Sequence, residues 1–209
     1  MDQLILTTVY LGPVQYYTKF FESEQVFIEQ YDNYRKQTYR NRCNILGANG
    51  PLVLTVPVVK EKRPKTLVKD IRIDYATQWQ KNHWRSIFSA YNSSPFFEYY
   101  ETDFMPFYEK RWKFLCDFNM ALHKVVADLL ELNSLGEFTN EYAKNFEGID
   151  CREVITPKKD FRIADDCFDP VAYTQTFGEK FGFVPNLSII DLLFNCGPEA
   201  RLILEQSNA

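Results

Sequence analysis

The chain offers two histidines in 209 residues, and His83 and His123 alone cannot build a metal cluster. Its five cysteines, Cys43, Cys116, Cys151, Cys167 and Cys196, are odd in number and widely spaced, with no CxxC pair. That pattern argues against a disulfide frame and a zinc site and for reduced thiols. No segment approaches the roughly 18 consecutive apolar residues a spanning helix needs. The opening MDQLILTTVY has neither a basic n-region nor a small-residue cleavage site, so no membrane span and a cytoplasmic location are expected. The net charge of −4 argues against general nucleic-acid binding, which usually shows as a basic domain. There is no internal repeat and no low-complexity tract, and no cofactor is implied. A His-x-x-His or His-x-Gly-His signature is also missing, which counts against a nucleotidyltransferase-like reading of the opening elements.

What is present is aromatic and unevenly charged. Phe (18) and Tyr (13) bring the aromatic share to 16%, so rings should build much of the core and of any ligand surface. Residues 35–72 hold ten Lys and Arg against two acids, a balance of +8, whereas the rest holds 14 against 26, or −12. A basic patch on an acidic body suits a small anion. A 45% hydrophobic share is ample for one sizeable core. A single domain over residues 1–209 is expected, with an α/β part to residue 75 and a mainly helical part from 76.

The local pattern predicts an α/β fold: a small mixed sheet built on an N-terminal βαβ unit plus a β-hairpin, flanked by a predominantly helical C-terminal half. DQLILTTVYLGP reads as a strand closed by a Gly-Pro break, VQYYTKFFESE as a helix and QVFIEQ as a second strand. Ligands of such units sit at the carboxyl ends of the strands, where YLGP and EQYDNYRKQTYRNR would meet. RCNILGANGPLVLTVPVV reads as a hairpin, KEKRPKT as an exposed loop and LVKDIRID as a half-buried strand. A helix begins at Trp79 and stops before Pro95. A longer one runs from Pro106 on the stripe Tyr108, Leu115, Phe118, Leu122, Val125 and Leu129. CREVIT reads as a short strand, KKDFRIADDCFDP as a loop, and PVAYTQTFGEKFG with NLSIIDLLFNCGPEARLILEQ as a closing helix pair.

The candidate site lies in NYRKQTYRNRCNIL. Arg35, Lys36, Arg40 and Arg42 can contact phosphate or carboxylate, and Tyr34 or Tyr39 can stack on a planar group. The same cations could instead pair with the acidic body. Asn41 and Arg42, an amide and a guanidinium entering an apolar strand, call for specific partners. Tyr10, Gly12, Pro13 and Tyr17 line the first strand's exit, where Gly12 permits close approach of a ligand. His83 suits a general base and equally an anchor for its helix. His123, Asp191 and the cysteines read as architecture, with Asp191 on a solvated helix face.

These residues resemble the WbqC-like protein family, in the form found in Bacteroidetes-type bacteria. The resemblance is carried by VYLGPVQYYTKFF, by YDNYRKQTYRNRCNILGANGPLVLTVPV, by WQKNHWRSIFSAYNSSPFFEYY and by FVPNLSIIDLLFNCGPEA. It spans nearly the whole chain, and its specific part is the block Lys36, Tyr39, Asn41 and Arg42. Many relatives carry Gln-Pro and a Pro-Trp loop near the N-terminus, where this chain has Thr8-Val9 and Gly12-Pro13. The resemblance implies a role in O-antigen or polysaccharide biosynthesis, with glycyl or aminoacyl transfer to a nucleotide-linked amino sugar as one activity. In that reading Arg35, Lys36 and Arg42 hold phosphates, Asn41 orients the acceptor, Tyr10 or Tyr17 touches the sugar and His83 removes a proton. The alternative is a non-catalytic protein that recognises an anionic metabolite or an acidic partner through the same patch.

Overall fold

The computed structural model describes residues 3–60 and 65–208. Strand β1 (Gln3–Thr7), helix α1 (Val14–Glu22) and strand β2 (Gln25–Glu29) form the βαβ unit. The two strands run parallel, from Gln3 opposite Gln25 to Thr7 opposite Glu29. Four of the five β1 residues are buried, as expected of a strand covered on both faces. Strands β3 (Arg42–Gly47) and β4 (Gly50–Thr55) follow as an antiparallel hairpin, closed by Ala48 and Asn49. Gly50, at φ 108°, holds a backbone conformation that side-chain-bearing residues rarely adopt.

The helical half begins with α2 (Trp79–Tyr91), α3 (Phe97–Phe104), α4 (Pro106–Glu109) and α5 (Leu115–Leu129). Two short strands come next, β5 (Glu137–Phe138) and β6 (Ile149–Asp150), then α6 (Phe161–Ala164), α7 (Gly178–Phe181), α8 (Ile189–Cys196) and α9 (Ala200–Gln206). Both short strands join the parallel sheet, giving the order β5-β2-β1-β6, while the hairpin forms its own ladder. The α/β class, the βαβ unit, the hairpin and the helical half agree with the sequence pattern. The second half of the chain nevertheless supplies both outer strands of the sheet.

Several local expectations are corrected. LVKDIRID is no strand: Val68–Asp70 is a 3-10 turn, followed by isolated bridges at Arg72 and Ile73. Val68, Ile71 and Ile73 are all buried, so a turn of period three imitates alternation. The long helix is interrupted between α4 and α5, because the chain there pairs sideways with the 71–73 segment. Ile73 N donates to Lys113 O and Leu115 N to Ile71 O, which pulls Phe114 into an extended conformation. CREVIT forms a turn just after β6, and KKDFRIADDCFDP contains the single helical turn α6, capped by the Asp160 carboxylate. PVAYTQTFGEKFG keeps only the turn α7. Residues 61–64 of the expected loop KEKRPKT lie outside the described residues.

Two buried carboxylates tie the irregular segments down. Glu29, fully buried at the end of β2, accepts from Tyr31 N, Ala143 N, Thr139 Oγ1 and Arg152 Nη1. Arg152 is held in turn by Asp150. Asp191 is buried rather than solvated, correcting the sequence reading. It accepts from Tyr91 Oη, Tyr173 Oη and Gln175 Nε2, which replaces the missing helix as the anchor of residues 173–175. Removing one partner of such a network leaves the others buried and unpaired. Glu29→Ala should therefore cost roughly 3–5 kcal/mol, read as a lower urea midpoint, with faster amide exchange across 137–152. An unchanged midpoint would show that the segment does not depend on Glu29.

Candidate functional site at the carboxyl edge of the sheet

The connection after β2 folds back over the exit of β1, as the sequence order suggested. Tyr10 N donates to Tyr39 O at 2.8 Å. Arg40, only 2% exposed, donates from Nε to Thr7 Oγ1 at 2.8 Å and from Nη2 to Asp32 Oδ2 at 2.9 Å. Its carbonyl accepts from Asn119 Nδ2 of α5 at 2.8 Å, and the same amide reaches Thr8 Oγ1 at 3.4 Å. One guanidinium and one amide thus fasten β1, the connection and α5 together. Both strand ends meet here, where ligands bind in open parallel sheets.

Around this junction polar atoms are buried without partners. Among the described residues, Tyr34 Oη, Asn41 Oδ1, Arg42 Nε, Trp79 Nε1, Trp112 Nε1 and Asn119 Oδ1 find no hydrogen bond. Four of them, on Tyr34, Asn41, Arg42 and Asn119, belong to residues linked to the connection around Arg40, and the two indoles belong to the aromatic cluster on Phe118. Asn119 holds the carbonyl that precedes Asn41, Arg40 and Arg42 both act on the Tyr34 phenol, and Trp79 and Trp112 pack on Phe118 at 5.7 and 5.9 Å between ring centroids. Asn41 donates from Nδ2 to Val56 O at 2.9 Å, which leaves only its oxygen free. A buried polar atom left unpaired costs on the order of 1–3 kcal/mol. Several such atoms on residues beside Arg40 call for an explanation.

His83 is placed differently from a free base. Its Nδ1 lies 2.9 Å from Tyr10 Oη, which also meets Tyr108 Oη at 2.9 Å, and the ring bonds the Thr55 backbone as well. Burial pushes the imidazole down to about 4. The buried ring thus anchors α2 to the exit of β1 through Tyr10 and to the end of β4 at Thr55. Tyr10 lies in the same network and stacks on Phe118 at 5.6 Å.

The remaining sequence candidates divide. Tyr39, Asn41 and Arg42 come to the junction. Tyr17 does not: its ring packs on Tyr16, Phe20 and His123. Arg35 is exposed and paired with Glu153 at 2.6 Å, and Lys36 is exposed, its carbonyl accepting from Lys158 Nζ. Gly12 serves packing, since a Cβ there would meet Val9 at 2.6 Å, and its carbonyl caps the start of α8 through Ile189 N. Of the basic segment, Lys62 and Arg63 fall outside the described residues.

Sequence reasoning missed Asn119, Trp79 and Trp112. Asn119 carried a signal: an amide on the stripe Leu115, Asn119, Leu122 and Val126, every member of which is buried. A polar side chain on an otherwise apolar helix face asks for a partner. No cluster of three or more His, Cys, Asp or Glu side chains among the described residues has metal-binding geometry. No helix among them is long and apolar enough to cross a membrane. Burial pushes the thiols of Cys116 and Cys196 up to about 12, holding them protonated at neutral pH.

The sequence profile of the WbqC-like protein family matches residues 8–161 and 162–203. The chain belongs to the WbqC-like protein family. It is 27% identical over 192 residues to a protein of Mycobacterium tuberculosis (strain ATCC 25618 / H37Rv) named "Uncharacterized protein Rv1507c", a match covering 80% of this chain and 81% of that one. No solved structure matches it significantly. Within this WbqC-like chain, the block Lys36, Tyr39, Asn41 and Arg42 straddles the rim of the junction, with Lys36 outside and the other three at it.

The histidines make the site's rigidity measurable. His83 and His123 are both pushed by burial from 6.5 down to about 4. Groups depressed on folding stabilise the fold above pH 6.5 and lose that contribution as pH falls toward 4. Asp191, pushed up to about 6 by burial, works with the opposite sign and offsets part of the loss below pH 6. The urea midpoint should fall from pH 7 to pH 5, by less in His83→Gln, and the His83 ring should stay neutral at pH 5.5 by NMR. A His83 titration midpoint near 6.5 would contradict the buried anchor.

Proposed function

We propose that this WbqC-like protein is a transferase of O-antigen or polysaccharide biosynthesis that binds a nucleotide-linked sugar at the carboxyl edge of the sheet, the transferred group being glycyl or another aminoacyl unit. The observation that supports the reading is that Tyr34, Asn41, Arg42 and Asn119, all linked to the connection around Arg40, each carry a buried polar atom without a partner among the described residues. Arg42 supplies a guanidinium near the already neutralised Arg40–Asp32 pair, with no carboxylate paired to it among the described residues, so a phosphate would find a cation there. The indole N–H groups add donors, and the surrounding rings present faces for a planar base. In an aminoacyl transfer the sugar amine nitrogen bonds to the acyl carbon while the bond from that carbon to its carrier breaks, and the amine's proton leaves with the carrier. Such a site contributes by holding the acceptor in line and excluding water. His83, bonded through Nδ1 to Tyr10 Oη, acts in this reading as a positioning residue that fixes Tyr10.

A second reading, a non-catalytic protein that binds an anionic metabolite, is favoured by one observation: the ring expected to serve as base is buried and its Nδ1 is taken up by Tyr10 Oη. Binding and turnover separate the two. Millimolar nucleoside diphosphate sugars should raise the Tm by several degrees, since occupancy at 100 times Kd stabilises by about 2.7 kcal/mol. Arg42→Ala should lose most of that shift while its unliganded Tm stays within about 2 °C of the parent, as Arg42 Nε forms no internal bond and surface-type losses are small. Mass-spectrometric appearance of an aminoacylated sugar nucleotide supports the transferase, and binding without product supports the binder. Absence of any thermal shift across the panel would overturn the transferase and favour the non-catalytic reading.

A further inference from the structure

Asn41 and Asn119 make a pair whose chemistry differs from that of the cations beside them. Asn41 Nδ2 donates to Val56 O, and Asn119 Nδ2 donates to Arg40 O. Backbone carbonyls only accept, so neither amide can flip, and each must direct a carbonyl oxygen elsewhere. Both oxygens are buried and unpaired among the described residues, on side chains 6% and 0% exposed. The Arg40 carbonyl held by Asn119 belongs to the peptide unit that leads into Asn41, which makes the two residues neighbours. Two fixed acceptors cannot be satisfied by a phosphate or carboxylate, which at neutral pH brings acceptors of its own. They require N–H or O–H donors.

We propose that Asn41 and Asn119 form a paired acceptor that reads a hydroxyl or amine on the sugar carried by the anion, and that this pair, not the cations, sets ligand specificity. The inference rests on the nucleotide-sugar reading and sharpens it. Arg42 takes the charged part of the ligand, and the two amides take its donor-bearing part. Asn119 is the specificity-determining member, since it is fully buried and its donor side is fixed by Arg40. A site built to accept from a substrate hydroxyl or amine rejects an analogue lacking that group far more strongly than a merely apolar pocket rejects a missing methylene, because its own polar atoms are then stranded.

The test is titration calorimetry of the full chain with uridine and thymidine diphosphates, their hexose and amino-hexose conjugates, and conjugates in which each ring hydroxyl is replaced in turn by fluorine. The wild-type protein should bind at least one sugar conjugate roughly 10-fold or more tighter than the bare diphosphate. One fluorinated position should erase that gain. Asn119→Ala should bring the ratio near one by weakening the conjugates far more than the bare diphosphate, with circular dichroism confirming the fold. Should that variant fail to fold, the fluorinated series on the wild-type protein decides alone. Equal binding of diphosphate and all conjugates by the wild type overturns the paired acceptor while leaving the nucleotide site standing. No binding of any nucleotide overturns both.

Discussion

A guanidinium shut away from water organises this molecule's candidate site. Arg40 is held by Thr7 from the end of β1 and by Asp32 from the turn after β2, and its carbonyl is held by Asn119 from α5. Burial lowers the affinity of the guanidinium for its proton while Asp32 works to restore it, and a charge in such a place persists only when paired and hydrogen-bonded. The consequence reaches the next two residues along the chain. With Arg40 immobile, Asn41 and Arg42 enter β3 in one orientation, and their unpaired atoms are presented at a fixed place rather than on a loose connection. The basic segment thus divides in the structure: Arg40 is buried and paired with Asp32, Arg42 Nε is buried without a partner among the described residues, and Arg35 lies at the surface with Glu153.

The rest of the fold supports that junction from two sides. The hairpin is tied to α2 through the contact of His83 with Thr55 and through Tyr91 Oη, which accepts from Leu46 N. The parallel sheet is widened by segments that Glu29 and Arg152 pin to its end. Asp191 collects Tyr91, Tyr173 and Gln175 and so connects α2 to the irregular stretch before α8. These buried polar links constrain geometry more than they add stability, because each sets desolvation against its hydrogen bonds. Aromatic packing supplies the apolar background, with Phe118 central: it meets Tyr10, Trp79, Phe107 and Trp112.

Much of the frame could be read from residue order. Apolar β-branched runs, a Gly-Pro break and an Asn-Gly turn are local signals, and they located β1, α1, β2 and the hairpin. The outer strands β5 and β6 could not be found this way, since two residues each carry no period and exist only because β1 and β2 offer edges. The 68–73 segment and the break before Leu115 share one cause, a sideways pairing between stretches some forty residues apart. In the site, residue type pointed to Asn41 and Arg42, yet it could not separate them from Arg35 and Lys36, because exposure depends on where the chain folds back. Residue type left His83 open between a base and an anchor for its helix, and its partner Tyr10 fits the anchor; Asp191 looked solvated until three donors surrounded it. Asn119 was legible in principle as the amide on a buried stripe.

The central claim is that the unpaired atoms beside Arg40 await a ligand. A crystal structure with a nucleoside diphosphate sugar, at a resolution that places ordered water, tests it most directly. The account predicts ligand donors at hydrogen-bond distance, about 2.7–3.2 Å, from Asn41 Oδ1 and Asn119 Oδ1, with a phosphate oxygen on Arg42. Ordered water or neighbouring protein groups satisfying those same atoms, with the nucleotide bound elsewhere or not at all, would contradict it.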